Sequence, residues 1–312
     1  MPGRPDAAPV PSPPPRAGAG QAKRLVVTAD DFGLHESVNE AVEHASREGV
    51  LTAASLMVAG AAAADAVRRA RALTRLRVGL HLVLADGAPV LPARCIPDLV
   101  DADGRFGSRM VVDGLRYFAL PPVRRQLEAE IRAQFRAFAR TGLVLDHVNA
   151  HKHFHLHPSL LGMILRIGRE FGTPAIRIPA EPLWFARAGR APWRGPAAGA
   201  ALAPWAALMR RRVRAAGIGH NDRVFGIACS GAMDEQRLLQ IVDRLGPGLT
   251  EIYVHAATES GAAIAPTMHG YRHADELAAL LSPRVRGAIA ASGAHRGGYR
   301  DLIGTAMAGG PA

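Results

Sequence analysis

From Lys23 onward, short apolar runs alternate with amphipathic segments, and this alternation constrains the fold of the 312-residue chain more than any other feature. The runs RLVVTA (24–29), LTAASLMV (51–58), LRVGLHLVL (76–84), LVLDHVNA (143–150), AIRI (175–178), RVFGIA (223–228), EIYVHA (251–256) and RVRGAIA (284–290) read as strands. Helical spacing fills 37–48, 61–73, 122–142, 158–172, 234–246 and 273–281. Ser37, with Glu40 three residues on, reads as a capping box, and Gly49 as the stop of that helix. Residues 85–120 read as loop-rich. Consecutive parallel strands need crossovers, so strands separated by helices predict a parallel sheet. Seven to eight such units in one chain predict an α/β fold, a single (β/α) barrel-like domain over 23–312 with a helical insertion at 181–222. Neither a GxGxxG nor a GxxxxGK[ST] loop is present, which removes the commonest reasons for an open doubly wound sheet.

Composition narrows the function classes. Hydrophobic residues make up 48% and charged residues 21%, a globular balance. No apolar run approaches the roughly 18–20 residues that cross a bilayer. Residues 1–22 hold seven prolines and three glycines and read as a disordered tail; without an apolar core they do not read as a secretory signal, so a cytoplasmic location is expected. The net charge is 38 − 27 = +11, but all basic residues except Lys23 and Lys152 are arginines, which reads as compositional bias. With no nucleic-acid-binding motif, no nucleic-acid partner is expected. Cys95 and Cys229 lack CxxC spacing and suit a reducing compartment. Oligomeric state is open.

In a (β/α) barrel, chemistry gathers at the C-terminal ends of strands. Here those ends offer Asp30-Asp31, His81, then His147, Asn149 and His151, Arg177, and His255. Two adjacent buried carboxylates repel, unless a divalent cation takes one and leaves the other as a base. The run HVNAHKHFHLH has five histidines at odd positions. Extended, alternate residues lie nearly 7 Å apart, so one or two at most reach a common metal. The roles of His153, His155 and His157 stay open, between substrate contact, support and an adventitious cluster.

RLVVTADDFGLHESVNEAV, VGLHLVL, LDHVNAHKHFHLHP and the closing RVRGAIAASGAHRGGYRDL resemble the YdjC/ChbG-type carbohydrate deacetylases over roughly 23–304, and most of all their hopanoid-biosynthesis-associated branch. The resemblance implies a barrel of glycoside hydrolase/deacetylase type and one divalent metal ion, Mg or Zn, on Asp31, His81 and His151. It also implies Asp30 as catalytic base and His255 as general acid. One carboxylate and two imidazoles leave open positions, as catalytic metals do, and two imidazoles favour zinc or another transition metal. The substrate implied is an N-acetylated amino sugar, lipid-linked as N-acetylglucosaminyl bacteriohopanetetrol. A soluble chito-oligosaccharide is the alternative, and a non-catalytic metal- or lipid-binding barrel is the alternative of another class. Arg177 orients Asp30, contacts sugar or forms a structural ion pair; His153 and Trp205 are further candidates for substrate contact.

The insertion 181–222 holds all three tryptophans and seven arginines, with Glu181 the single acidic residue before Asp222. Pro204 can start a helix and Gly217 stop it, with Trp205, Met209, Val213 and Ala216 along one stripe. Such a helix serves as a lid packed on the barrel, as a peripheral contact of 199–216 with anionic inner membrane or a lipid tail, or as both.

Overall fold

The structure, a computed structural model, describes residues 22–108, 110–186, 196–259 and 264–308. The tail segment 1–21 and Trp193 lie outside the described residues. The strands are β1 (Lys23–Phe32), β2 (Ala53–Leu56), β3 (Arg77–Leu82), β4 (Leu145–Ala150), β5 (Arg223–Phe225), β6 (Gly248–Val254) and β7 (His295–Arg296). The helices are α1 (Glu36–Glu48), α2 (Ala63–Ala72), α3 (Met110–Ala119), α4 (Pro121–Arg140), α5 (Pro158–Glu170), α6 (Leu183–Ala186), α7 (Pro196–Ala215), α8 (Glu235–Asp243), α9 (His273–Leu281), α10 (Pro283–Ala291) and α11 (Tyr299–Ala308).

All named pairings are parallel, in the order β4-β3-β2-β1-β6-β5, with β7 beside the start of β1. Residues 25–32 of β1 and all of β6 are buried, as expected for strands covered on both faces. The two sheet edges approach through residues 175–180. Arg177 N donates to Val148 O (3.0 Å), Ile176 N to Gly219 O (2.9 Å) and Val224 N to Ala180 O (3.1 Å). The buried Asn221 amide completes the seam by bonding both Ile178 N (2.7 Å) and Ile178 O (2.8 Å), as a neighbouring peptide would. The sheet therefore curls into a barrel, sealed on one side by isolated bridges and a side chain.

Helices cover the outside through apolar stripes; α4, for example, buries Val123, Leu127, Ile131, Phe135 and Phe138. Several expected boundaries change. Residues 284–290 form α10 instead of a strand, because Pro283 sits in the first turn and Ser282 caps it, accepting from Arg284 N and Val285 N. Residues 175–178 make isolated bridges only. The loop-rich stretch 85–120 contains α3. His35 caps α1, its Nδ1 accepting from Ser37 N, because the helix starts one residue before Ser37, which is buried within it. Finally, α7 begins at Pro196, with Pro204 inside it.

Candidate metal and catalytic site

Successive side chains of a regular strand point to opposite faces. The end of β1 escapes this rule. Between Ala29 and Phe32, three steps of β1 oppose two of β2 (Ala54 to Leu56), and Asp31 takes a left-handed φ of 63°. This bulge turns both Asp30 and Asp31 inward, each only 2% exposed. A non-glycine residue in that region costs about 1–3 kcal/mol, and such strain gathers at functional sites.

The two carboxylates meet different neighbours. Asp31 Oδ1 lies 3.2 Å from His81 Nε2 and 3.0 Å from His151 Nδ1, while Asp31 Oδ2 is buried with no hydrogen-bond partner among the described residues. His81 donates from Nδ1 to Asn149 Oδ1 (2.6 Å), which leaves its Nε2 lone pair facing Asp31. One ligand atom from each of Asp31, His81 and His151 lies within 4.8 Å of the other two. Burial opposes ionisation of Asp31, but His151 and His81 outweigh it and hold the carboxyl well below its usual range. Burial likewise opposes a charge on His81, and Asp30 with Asp31 pulls its pKa up.

Asp30 belongs to a second cluster. Arg177, fully buried, donates from Nη1 to Asp30 Oδ2 (2.6 Å) and from Nη2 to Asp30 Oδ1 (2.9 Å). The same guanidinium donates from Nε and Nη2 to Glu251, both at 2.8 Å. Asn149 Nδ2 adds a bond to Asp30 Oδ1 (3.1 Å). Burial would raise the Asp30 pKa, and Arg177 overrides it, so Asp30 stays ionised far below ordinary carboxylate pH. The centre thus holds three carboxylates (Asp30, Asp31 and Glu251) against one guanidinium, which pairs with Asp30 and Glu251, and with neutral imidazoles it carries a formal excess of two negative charges. The orphaned Asp31 oxygen, the two imidazoles and that excess fit a divalent cation.

His255 closes the site from the end of β6. Its Nε2 is 3.9 Å from Asp31 Oδ2 and its buried Nδ1 has no hydrogen-bond partner among the described residues. Burial pulls its pKa down to about 4, so it is neutral at pH 7. Asp30, His81, His151 and His255 line a cavity of about 600 Å³. Its lining combines the apolar Leu156, Pro179, Ala186, Ala206, Ile227 and Met268 with the polar Lys152, Glu181, Arg210, Ser230 and Thr267.

The histidine run does not stay extended. After Ala150 it turns into a 3₁₀ segment in which Lys152 (φ 54°) and His153 (φ 55°) are both left-handed. The odd-numbered histidines accordingly diverge. His151 meets Asp31, His153 Nε2 pairs with Tyr253 OH (2.9 Å) on the cavity wall, and His155 Nε2 donates to Arg177 O (3.0 Å). Lys152 instead reaches across the cavity mouth to Asp86 (2.5 Å). Trp205 donates from Nε1 to Leu156 O (2.8 Å), and Met209 and Val213 of the same stripe are fully buried in the core. That face of α7 therefore covers the barrel. Sequence reading did not find Glu251, whose signal was a lone acid within the buried strand EIYV, or Tyr253 beside it.

A model of the YdjC-like protein family matches residues 24–291. The chain belongs to the YdjC-like family. Two relatives described as carbohydrate deacetylases show the range of likeness to this YdjC-like chain. That of Brevibacillus brevis is 40% identical over 156 residues, 50% of this chain and 59% of the relative. That of Geobacillus stearothermophilus is 28% identical over 279 residues, 89% and 97% of the two chains. The match to the Oceanobacillus iheyensis carbohydrate deacetylase spans 63% of it, so the chain covers about three fifths of these first two relatives that it matches at higher identity. An Enterococcus faecalis V583 crystal structure, described as a "putative cellobiose-phosphate cleavage protein", shares the fold. Its TM-score is 0.69 at 24% identity, covering 90% of this chain and 99% of that one. In this YdjC-like barrel, the ADDFG and HVNAHKHFH segments supply Asp30, Asp31 and His151.

Proposed function

We propose that this YdjC-like protein is a metal-dependent N-deacetylase of an N-acetylated amino sugar. The division of labour between adjacent carboxylates carries the reading: Asp31 faces two imidazoles with a free oxygen, and Asp30 is held apart by Arg177. The names of its relatives support the substrate class. In this reading Asp31, His81 and His151 hold the metal ion. When bound, such an ion supplies Lewis acidity toward the acetamide and an activated water. Asp30 accepts a proton from the attacking water. The proton passes to His255, which is neutral at rest, and from there to the departing sugar amine, otherwise a poor leaving group. Arg177 fixes the plane of the Asp30 carboxylate, His153 contacts the sugar, and Trp205 braces the wall around it.

The finer substrate we propose is N-acetylglucosaminyl bacteriohopanetetrol, as in the hopanoid-biosynthesis-associated branch; in support, Leu156, Pro179, Ala186, Ala206, Ile227 and Met268 give the cavity apolar lining against which a lipid tail can lie. Peripheral membrane contact through 199–216 then falls to the exposed Leu208 beside Arg211 and Arg214, since the apolar stripe is covered. No helix among the described residues is long and apolar enough to cross a membrane. The test is acetate release from this lipid and from N,N′-diacetylchitobiose, side by side, with metal-defined protein. Release from the lipid alone supports the full reading. Release mainly from the disaccharide keeps the chemistry and discards the lipid. No release from either, with metal bound, or full activity in Asp30→Asn, overturns the enzyme reading or the base assignment respectively.

A further inference from the structure

The closing segment GAHRGGYRDL lies at the bottom of the barrel, away from the cavity-lining residues, yet it ends two chains of hydrogen bonds that converge on Asp30. Tyr299, the first residue of α11, is fully buried. Its hydroxyl donates to Glu251 Oε2 (2.5 Å), Glu251 accepts from Arg177, and Arg177 forks onto Asp30. Its backbone N–H donates to Asp146 Oδ2 (3.1 Å), and Arg300 N donates to Asp146 Oδ1 (2.8 Å). The first turn of α11 thus makes Asp146 an acceptor, which draws the His147 proton to Nδ1, 2.9 Å from Asp146 Oδ2. His147 Nε2 then accepts from Ser55 Oγ (3.0 Å). That orients the hydroxyl to accept from Asn149 Nδ2 (2.9 Å). Asn149 bonds Asp30 through Nδ2 and His81 through Oδ1.

Donors and acceptors run in one consistent sense along both chains, and Asp146, His147, Ser55, Asn149, Glu251 and Tyr299 are each at most 1% exposed. Gly298 makes the approach possible, since a Cβ there would lie 2.6 Å from Asp146 Oδ1. Buried polar chains of this kind fix geometry only when every member is satisfied.

We propose that Tyr299 is a positioning residue for Asp30, setting the carboxylate's plane through Glu251–Arg177 and through Asp146–His147–Ser55–Asn149. The proposal rests on the reading of Asp30 as the base. Tyr299→Phe cuts only the first chain, and Ser55→Ala only the second. Misplacing a reacting group by a fraction of an ångström to 1 Å costs up to about 10²-fold. Tyr299→Phe is therefore expected to lower kcat on N,N′-diacetylchitobiose or the glycolipid about 10-fold, with KM and Co²⁺ affinity within about twofold of wild type. Its crystal structure is expected to show the Arg177–Asp30 fork turned. Ser55→Ala is expected to lower Co²⁺ affinity about fivefold as well, because Asn149 also holds His81; the loss is smaller than the roughly 10–100-fold that follows removal of a ligand's direct partner, since Ser55 acts through Asn149. An unchanged fork in Tyr299→Phe overturns the proposal, whatever happens to kcat, and so does a turned fork with unchanged kcat. Unchanged Co²⁺ affinity in Ser55→Ala overturns the second chain. Asp30→Asn separates the two claims: if that variant turns over normally, the base reading fails, whereas its inactivity alongside a wild-type-like Tyr299→Phe refutes the positioning role alone. The structural and Co²⁺ readouts need no turnover.

Discussion

Replacing Arg177 with methionine tests the electrostatic account most severely. The side chain has similar length, so little volume is lost, but four charge-assisted bonds of 2.6–2.9 Å disappear at full burial. Asp30 and Glu251 are then left as buried carboxylates without a counter-charge. Breaking a buried pair from one side costs about 3–5 kcal/mol. For a chain of 312 residues, each kcal/mol lowers Tm by about 1.5 °C, so the metal-free variant should melt roughly 5–8 °C below wild type. Two controls separate charge from packing. Adding Glu251→Gln to Arg177→Met should recover part of the loss, since one orphaned charge is removed. Wild type in EDTA should gain stability on adding Zn²⁺, and Arg177→Met should gain more, because its site holds one more uncompensated negative charge. Melting is followed by circular dichroism at pH 7. A fall of less than about 2 °C, or no recovery in the double variant, refutes the charge-balance argument.

Three further outcomes follow from other sites. Glu276 is fully buried; burial pushes its pKa up to about 7 although Met233 N and His255 N donate to it. Between its ordinary pKa and pH 7 the folded protein therefore binds more protons than the unfolded chain, so stability falls as pH rises through that window. The loss is at most about 3 kcal/mol; because buried His255 contributes the opposite slope below its ordinary pKa, the readout is the stability of wild type minus that of Glu276→Gln in urea titrations from pH 5 to 8, and this difference should fall as pH rises. Asp31→Ala should abolish stoichiometric Co²⁺ binding in calorimetry, whereas Asp30→Asn should retain it; equal retention in both would remove Asp31 from the metal set. A Cβ on Gly79 would lie 2.5 Å from the His147 ring, with Gly79 on β3 in the middle of the sheet. Gly79→Ala should cost about 1–3 kcal/mol in urea unfolding, and a change under about 0.5 kcal/mol would show that His147 is free to move aside.

The strand ends were readable because the barrel concentrates chemistry there: Asp30, Asp31, His81, His151 and His255 all came from that rule. Arg177 was named there too, its role left open between orienting Asp30, contacting sugar and a structural ion pair, while Glu251, Ser55 and Tyr299 were not. Glu251 and Arg177 each occupy a buried position whose meaning depends on the other, 74 residues away in sequence. Ser55 and Tyr299 look like ordinary strand and helix residues until the fold joins them to Asn149 and Asp146. The even spacing of the histidines suggested a strand, but two left-handed residues at Lys152 and His153 broke it, and no local propensity announces such strain. The sequence 284–290 misled in the opposite way, because apolar and arginine residues alternate over a segment whose real signal was Ser282-Pro283 ahead of it.

The seam between Ile178 and Asn221 sets where this fold can change. A conventional ladder would lose a row of hydrogen bonds if the chain left it for a long excursion. Here a single amide and a few bridges hold the edges, so the excursion 181–222 departs and returns without disrupting any continuous ladder. The proposed acid–base groups and metal ligands hang on β1, β3, β4 and β6 around the rest of the ring, while the seam supplies the wall that an acceptor's far end would touch. Chemistry and selectivity thus sit on parts of the barrel that can be altered separately. The residues between the seam's Ala180 and Gly219 can be rewritten without touching β1, β3, β4 or β6.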